Sequence, residues 1–538
     1  PVAPAPSALL PPADRGNRRA PLRRLAALSL VTTLAACPAK RAAPDAIARD
    51  ATLASDASPD APADAARAPR RAVRPHTKII ATAIWTPVHS APDVRSKNLG
   101  YLRAGGTVDA VEGPLNPGHC LHRRDPDGGW YRLRDGGYVC VGNALATGFP
   151  NHDFLPPRQP DYDAGMPYTF AINYGITVLY RRLPTREDLR LYEPWRYEQT
   201  PDEQFDNSAA PPPGNAPVVR AHPRTLAELR GTSQSPMVRR LLVGMYVALD
   251  RLVRNDAVGE RYWHTQSGGY VRESRLSEVR HIPTSHGTVL DAAVTLPYAF
   301  MVAEEGYDYN VSPTGGLSAN HRVPKLTGIA LADAPPILVG GRYPYLRTAD
   351  GRAVPARAVR HITRQAPPAD AAPNEKWIDV DLDEQILAAY EGDRPVYVTL
   401  ISSGRASDDR AHDHETPTGT FRITSKHVTN TMDGETPNGV YSIEDVPWVM
   451  YFQQSYALHA AFWHSHFGWR MSHGCVNLAP LDARWLAYWS DPPLPANWHG
   501  VYATPDRLGS RVVIRHSRAN QHVDEDRPAT VVANPTGN

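Results

Sequence analysis

Cysteine is scarce in this chain: four in 538 residues, at Cys37, Cys120, Cys140 and Cys475. None has the paired C-x-x-C spacing of a structural zinc site, so no metal is indicated. Charge of one sign is lacking too. Lys and Arg total 58 against 56 Asp and Glu, a net charge of +2. No strongly basic block follows the N-terminal region, which argues against nucleic acid as a partner. Long apolar runs are also missing. The longest, Leu25 to Ala36, is shorter than the roughly 20 residues a permanent membrane helix takes. Proline, by contrast, is plentiful. The 53 Pro are about twice the usual share of roughly 5% and point to linkers and turn-rich β structure. The length predicts two to four domains.

The N-terminal region reads as an address. Arg18, Arg19, Arg23 and Arg24 precede the short apolar run, which ends in Leu34-Ala35-Ala36-Cys37. Basic flank, apolar segment and small residues before a cysteine resemble a bacterial lipoprotein signal peptide. On that reading residues 1–37 are the leader and Cys37 accepts the lipid. The chain is then exported, a periplasmic lipoprotein on the inner or outer membrane of a Gram-negative bacterium. The sequence begins at Pro1, which leaves open where the leader starts. Residues 38–75, rich in Ala, Asp, Pro and Arg, have almost no large apolar side chains to offset ordering entropy. They are expected to be a disordered tether, and 517–538 a disordered tail.

From Thr77 short apolar alternations are broken by Gly-Gly and Pro turns, as in an antiparallel β domain. Cys120 and Cys140 both fall in it, and in an exported protein a disulfide between them is expected. The module echoes itself. Trp130-Tyr131 followed by Gly136-Gly137-Tyr138-Val139 returns as Tyr262-Trp263 with Gly268-Gly269-Tyr270-Val271. A weaker echo runs from Tyr343 to Val354. These units resemble bacterial SH3-like domains, which implies small β-barrels at 76–150 and at 161–290. The second would carry an insertion including the Pro-rich 208–217. Residues 291–370 form a β-rich connection with a possible third unit. Plain repeated hairpins with no wall-binding role have equal weight, and 281–330 carries no functional signal.

From Glu375 a new domain begins. WIDVDLDEQILAAYEGDRPVYVTLISSGR alternates like two strands joined at Glu391-Gly392-Asp393-Arg394. Further on stands Ser472-His473-Gly474-Cys475-Val476-Asn477. A thiol with an ordinary pKa near 8.5 is only slightly ionised at neutral pH, so a nucleophilic cysteine needs an activating neighbour. His459, His464, His466 and His473 are the candidates. Gly474 permits a tight bend whose N–H groups could face one oxyanion. Thiol, bases and bend together make a candidate acyl-transfer site.

The SHGCVN string, with the His of ALHAAFW upstream, resembles the L,D-transpeptidase (YkuD-type) catalytic domain over 375–516. The ThrProThrGlyThrPhe turn and AlaProLeuAspAlaArgTrpLeu belong to the same likeness. It implies a β-sandwich with a short helix near Leu481–Tyr488, so the fold class expected is mainly β. Carried over, Cys475 is the nucleophile and His459 the general base. His473 and Gly474 shape the turn, and N–H groups of 473–475 form much of the oxyanion hole. Ser472 and Asn477 support the loop. Asn477 stands where other members carry Arg.

The implied reaction is attack on a peptidoglycan tetrapeptide stem, then transfer of the acyl group to an amine. No cofactor is implied. Partners would be peptidoglycan peptide stems, the membrane through the lipid anchor, and possibly an acceptor protein. Two other readings stay open: an L,D-carboxypeptidase, in which water replaces the amine, and a non-catalytic lipid-anchored scaffold that binds the wall.

Overall fold

The computed structural model describes residues 77–115, 120, 128–142, 146–147, 155–197, 225–284, 286–405, 413–436 and 439–518. The chain divides into Pro1–Pro69 and Arg70–Asn538, and every described residue belongs to the second unit. The leader with Cys37, the tether 38–75, the Pro-rich 208–217 and the tail beyond Arg518 lie outside the described residues.

The sequence echo is a repeated strand plan. Copy 1 runs Thr77–Ala81, Thr86–His89, Asn98–Leu102, Thr107–Leu115, Gly129–Leu133, Tyr138–Val141 and Ala146–Thr147. Copy 2 runs Thr169–Asn173, Thr177–Tyr180, Met237–Leu241, Tyr246–Asn255, Glu260–Thr265, Tyr270–Arg272 and Leu276–Glu278. In both, the first strand pairs with the fourth and seventh, the second with the third and sixth, and the fifth with the fourth and sixth. Copy 3 keeps this plan. Its strands are Tyr298–Met301, Gly306–Val311, Leu317–Val323, a fourth split into Gly328–Ala330 and Ile337–Val339, then Tyr343–Arg347, Ala353–Pro355 and Val359–Ile362. Most of 281–330, which carried no signal, therefore builds the first half of copy 3.

Among the described residues no closed barrel is seen. Among the described residues the third and seventh strands of each copy stay unpaired with one another. Instead the third strand of copy 1 continues into the C-terminal domain, with Gly100 opposite Val501 and Tyr101 opposite Gly500. Cys120 and Cys140 are joined by a disulfide, Cα–Cα 5.6 Å. The insertion of copy 2 sits between its second and third strands and holds the helix Arg186–Tyr192, capped by Thr185.

The C-terminal domain stacks two sheets. One orders Thr288–Val289, Arg394–Leu400, Ile386–Glu391, Lys376–Asp381, Arg511–Arg515 and Gly419–Arg422. The other orders Gly500–Tyr502, Ser425–Thr436, Gly439–Gln453, Tyr456–Ala460 and Val476–Leu478. Successive side chains of a strand face opposite ways. Ile378, Val380, Leu387 and Ala389 of the first sheet thus meet Trp448, Met450, Leu458 and Val476 of the second. Trp377, Ile386, Ala388 and Tyr390 point outward, where Tyr298, Phe300, Val302 and Ile362 of copy 3 cover them. Both faces are buried, so Ile386–Tyr390 reads as a continuous apolar run while Lys376–Asp381 keeps its alternation.

Three strands, not two, fill the segment from Trp377 to Arg405. The missed reversal at 381–385 has no Gly or Pro. Asp381 Oδ1 accepts the N–H groups of Asp383 and Glu384, and Gln385 takes a left-handed φ of 51°. The domain also reaches past 516, because Ser517 donates to Asp381 and Arg518 pairs with Glu384. The helix after the motif spans Pro480–Trp489. Fully buried Lys426 donates its ammonium to Ala487 O and Ser490 O, satisfying carbonyls at the helix C-terminus.

Candidate active site

Strands Tyr456–Ala460 and Val476–Leu478 run side by side in parallel, pairing Leu458 with Val476 and His459 with Asn477. Paired residues share a face, so His459 and Asn477 point the same way. Cys475, two residues before Asn477, falls beside Ala457, whose N–H bonds to its sulfur. The Sγ lies 3.8 Å from Ser455 O. Chain direction and register thus bring imidazole and thiol to one face of two adjacent strands. Cys475 is half-buried. It packs with Met432, Ile443, Tyr451 and Trp463 around Val446, Val449 and Ala457.

His459 is buried, and its Nδ1 is 3.0 Å from Ala460 O. A carbonyl can only accept, so Nδ1 carries the proton and Nε2 keeps the lone pair of a base. Burial pulls this imidazole down to about 4 and pushes the Cys475 thiol up to about 11. The resting pair is therefore a neutral thiol and a neutral base, not the ionised cysteine that a lowered thiol pKa would produce.

His464 is a second ring in the same wall. Its Nδ1 lies 3.3 Å from the His466 N, and its Nε2 lies 2.9 Å from Asn477 Nδ2. Burial first, then His466 and His459, hold this ring down to about 4. His464 is thus tied to the site through Asn477, while His466 is exposed. His473 points outward. Its ring stacks on Tyr441 at 5.4 Å and meets His414 edge-on at 4.8 Å, and burial together with His414 and Arg405 lowers its pKa.

The turn is locked from several sides. Ser472 Oγ donates to Cys475 O and accepts the Gly474 N–H at 3.1 Å. That takes Gly474 out of the expected oxyanion donors; among the described residues the N–H groups of His473 and Cys475 carry no such bond. Gly474 has a φ of 112°, and a Cβ there would stand 2.5 Å from Tyr456 Cε1. Only glycine fits.

Other residues of the site escaped sequence reasoning. Thr416 Oγ1 donates to Gly474 O and accepts the Gly404 N–H, both at 2.9 Å. Gly404 has no room for a Cβ, which would fall 1.9 Å from His414 O and 2.8 Å from Gly474 Cα. Tyr441 and Tyr451 are pushed up to about 12 by burial, with a further contribution from the cysteine beside them. The Thr-Pro-Thr-Gly string was the one available signal for Thr416. The tyrosines had none.

A cysteine, a Nδ1-protonated histidine and a locked bend on adjoining strands suit acyl transfer. The family comparison agrees. Residues 375–514 match the YkuD family model, an L,D-transpeptidase catalytic domain. The Bacillus subtilis protein YciB, named provisionally as an L,D-transpeptidase, is 27% identical to this chain over 136 residues. The match covers 20% of this chain and 58% of YciB, so the chain spans less than two thirds of that relative. Among solved structures, the L,D-transpeptidase of Xylanimonas cellulosilytica is 25% identical with a TM-score of 0.20, covering 28% of this chain and 64% of that one. The Enterococcus faecium L,D-transpeptidase catalytic domain is 22% identical with a TM-score of 0.21, covering 27% and 100%. The assignment of the YkuD domain rests on the family match and not on these low scores.

Proposed function

We propose that this protein is a peptidoglycan L,D-transpeptidase working through a Cys475 thioester. The observation that carries the reading is the Ala460 carbonyl on His459 Nδ1, which frees Nε2 as base on the face that holds the sulfur. Cys475 attacks the carbonyl at the L-centre of meso-diaminopimelate in a tetrapeptide stem, and His459 Nε2 takes the thiol proton. That proton passes to the departing amine of D-Ala, leaving an acyl-enzyme. An amine then attacks the thioester, His459 accepts its proton, and the sulfur is released as thiol. Oxyanion support is assigned to the N–H groups of His473 and Cys475.

In the same reading the chain is exported and a lipid on Cys37 holds it to the inner or outer membrane. The Cys120–Cys140 disulfide supports an oxidising compartment. The three repeated copies are SH3-like modules, a resemblance supported by their aromatic hairpins. The acceptor is an amine of a second stem or of another protein.

Purified chain incubated with tetrapeptide muropeptides tests the reaction. Release of D-Ala together with a cross-linked dimer is expected, and Cys475→Ala should abolish both while Cys37→Ala leaves them intact. A trimmed tripeptide without dimer would make the enzyme an L,D-carboxypeptidase. Release that survives Cys475→Ala defeats the mechanism, and no release at all leaves the scaffold reading.

A further inference from the structure

The strand plan shared by the three copies puts their residues in register, and one position departs. In copy 1 Thr107 lies opposite Ile80, in copy 2 Tyr246 lies opposite Ile172, and in copy 3 Gly328 lies opposite Phe300. Thr107 is exposed and Gly328 has no side chain. Tyr246 is half-buried, and its ring reaches out of copy 2 into the YkuD domain. It meets Phe462 edge-on at 5.4 Å and lies 6.5 Å from Trp463. Trp463 in turn lies 5.9 Å from the His459 ring, inclined by 30°. A row of aromatic rings thus leads from copy 2 to the imidazole.

The backbone at the same spot is fixed as well. Tyr246 pairs with Ile443 in parallel register, and Glu444 accepts the Ala248 N–H at 3.1 Å. Ile443 and Trp463 both pack in the cluster that includes Cys475. The start of this strand therefore touches both the hairpin over the sulfur and the ring beside the base.

We propose that Tyr246 is a positioning residue of the transfer reaction, supplied by copy 2, which sets Trp463 and through it the His459 ring against Cys475. The inference rests on the transpeptidase reading. An edge contact between rings is directional and adds attraction beyond area burial, so it fixes a ring plane where a Thr or Gly could not. It also keeps water from His459. Displacing a base by about 1 Å costs on the order of a hundredfold in rate. Copy 2 is on this view part of the active site and not only an appended module.

The test is the rate at which imipenem forms a mass adduct on Cys475 of the full chain, followed from pH 4 to 9. Tyr246→Ala should slow it about ten- to a hundredfold. Its acid limb should move up toward the ordinary imidazole value of about 6.5, as water reaches His459. Tyr246→Phe, which keeps the ring, should restore rate and limb. Thr107→Ala, the matching change in copy 1, should leave both unchanged. If Tyr246→Ala fails to fold, Tyr246→Leu must show the same slowing, because it fills volume without a ring face. A wild-type rate and limb in the folded variant overturn the proposal alone. A wild-type chain that forms no adduct overturns the transpeptidase reading with it.

Discussion

Copy 3 lays Tyr298, Phe300, Val302 and Ile362 over the outer face of the sheet that holds Trp377 and Tyr390. Copies 1 and 2 meet the other sheet, the one carrying Cys475, through directed contacts. Arg103 of copy 1 forms a buried ion pair with Asp445 and hydrogen-bonds to Thr429 and to Gln266 O of copy 2. Arg239 of copy 2 pairs with Asp433 at 3.3 Å. One strand plan thus serves two attachments that weight apolar burial and directed bonds differently: Phe170 of copy 2 also packs on Phe462, and Arg360 of copy 3 donates to Gly468 O. Burial of apolar area is non-directional and tolerates small shifts, so it suits the sheet remote from the chemistry. Buried charge and paired strands have one good geometry, and they lie where hairpin and sulfur must stay aligned.

The comparison breaks if disturbing the cysteine-bearing sheet proves no worse for activity than disturbing the other. Gly474→Ala places a Cβ against Tyr456 within the motif and should cut adduct formation on Cys475 at least about a hundredfold. Circular dichroism should show the fold retained. Next in size, Arg103→Ala leaves Asp445 buried without its partner and should cost about 3–5 kcal/mol, read as a lower midpoint in urea. It should also slow acylation, because Asp445 lies on the hairpin over Cys475. Phe300→Ala is the sharper control. It should cost a similar figure of about 3–5 kcal/mol through the cavity it leaves, yet leave the pH profile of the surviving enzyme unchanged.

The smallest expected effect is that of pH. Burial lowers His459 to about 4 and raises Cys475 to about 11. A base with a depressed pKa stays neutral and competent down to that value, so acylation should persist from pH 7 to 5. It should fall only as pH drops through about 4 and His459 protonates. An acid limb near pH 6.5 instead would mean a water-exposed imidazole.

Much of this was legible in the chain because the signals are local. Ser472 to Asn477 hold the cysteine, a bend and its supports in six consecutive residues. The Gly-Gly turns with flanking aromatics mark the fifth and sixth strands of copies 1 and 2. The rest was hidden for identifiable reasons. The second and third strands of copy 3, GYDYNV and LSANHRV, lack a clear apolar alternation, and the third is largely exposed. The reversal at Asp381–Gln385 uses an Asp side chain and a left-handed Gln. Thr416, Gly404 and Tyr246 act across chain separations that no spacing rule reaches.

The enclosure that makes Cys475 a poor thiolate has another effect. Oxidants and stray disulfides attack thiolates, and at neutral pH a thiol held near 11 offers about one molecule in ten thousand in that form. The other two cysteines among the described residues, Cys120 and Cys140 of copy 1, are already joined to each other. The sulfur thus keeps a long shelf life in surroundings that would turn a more reactive one into sulfenic acid.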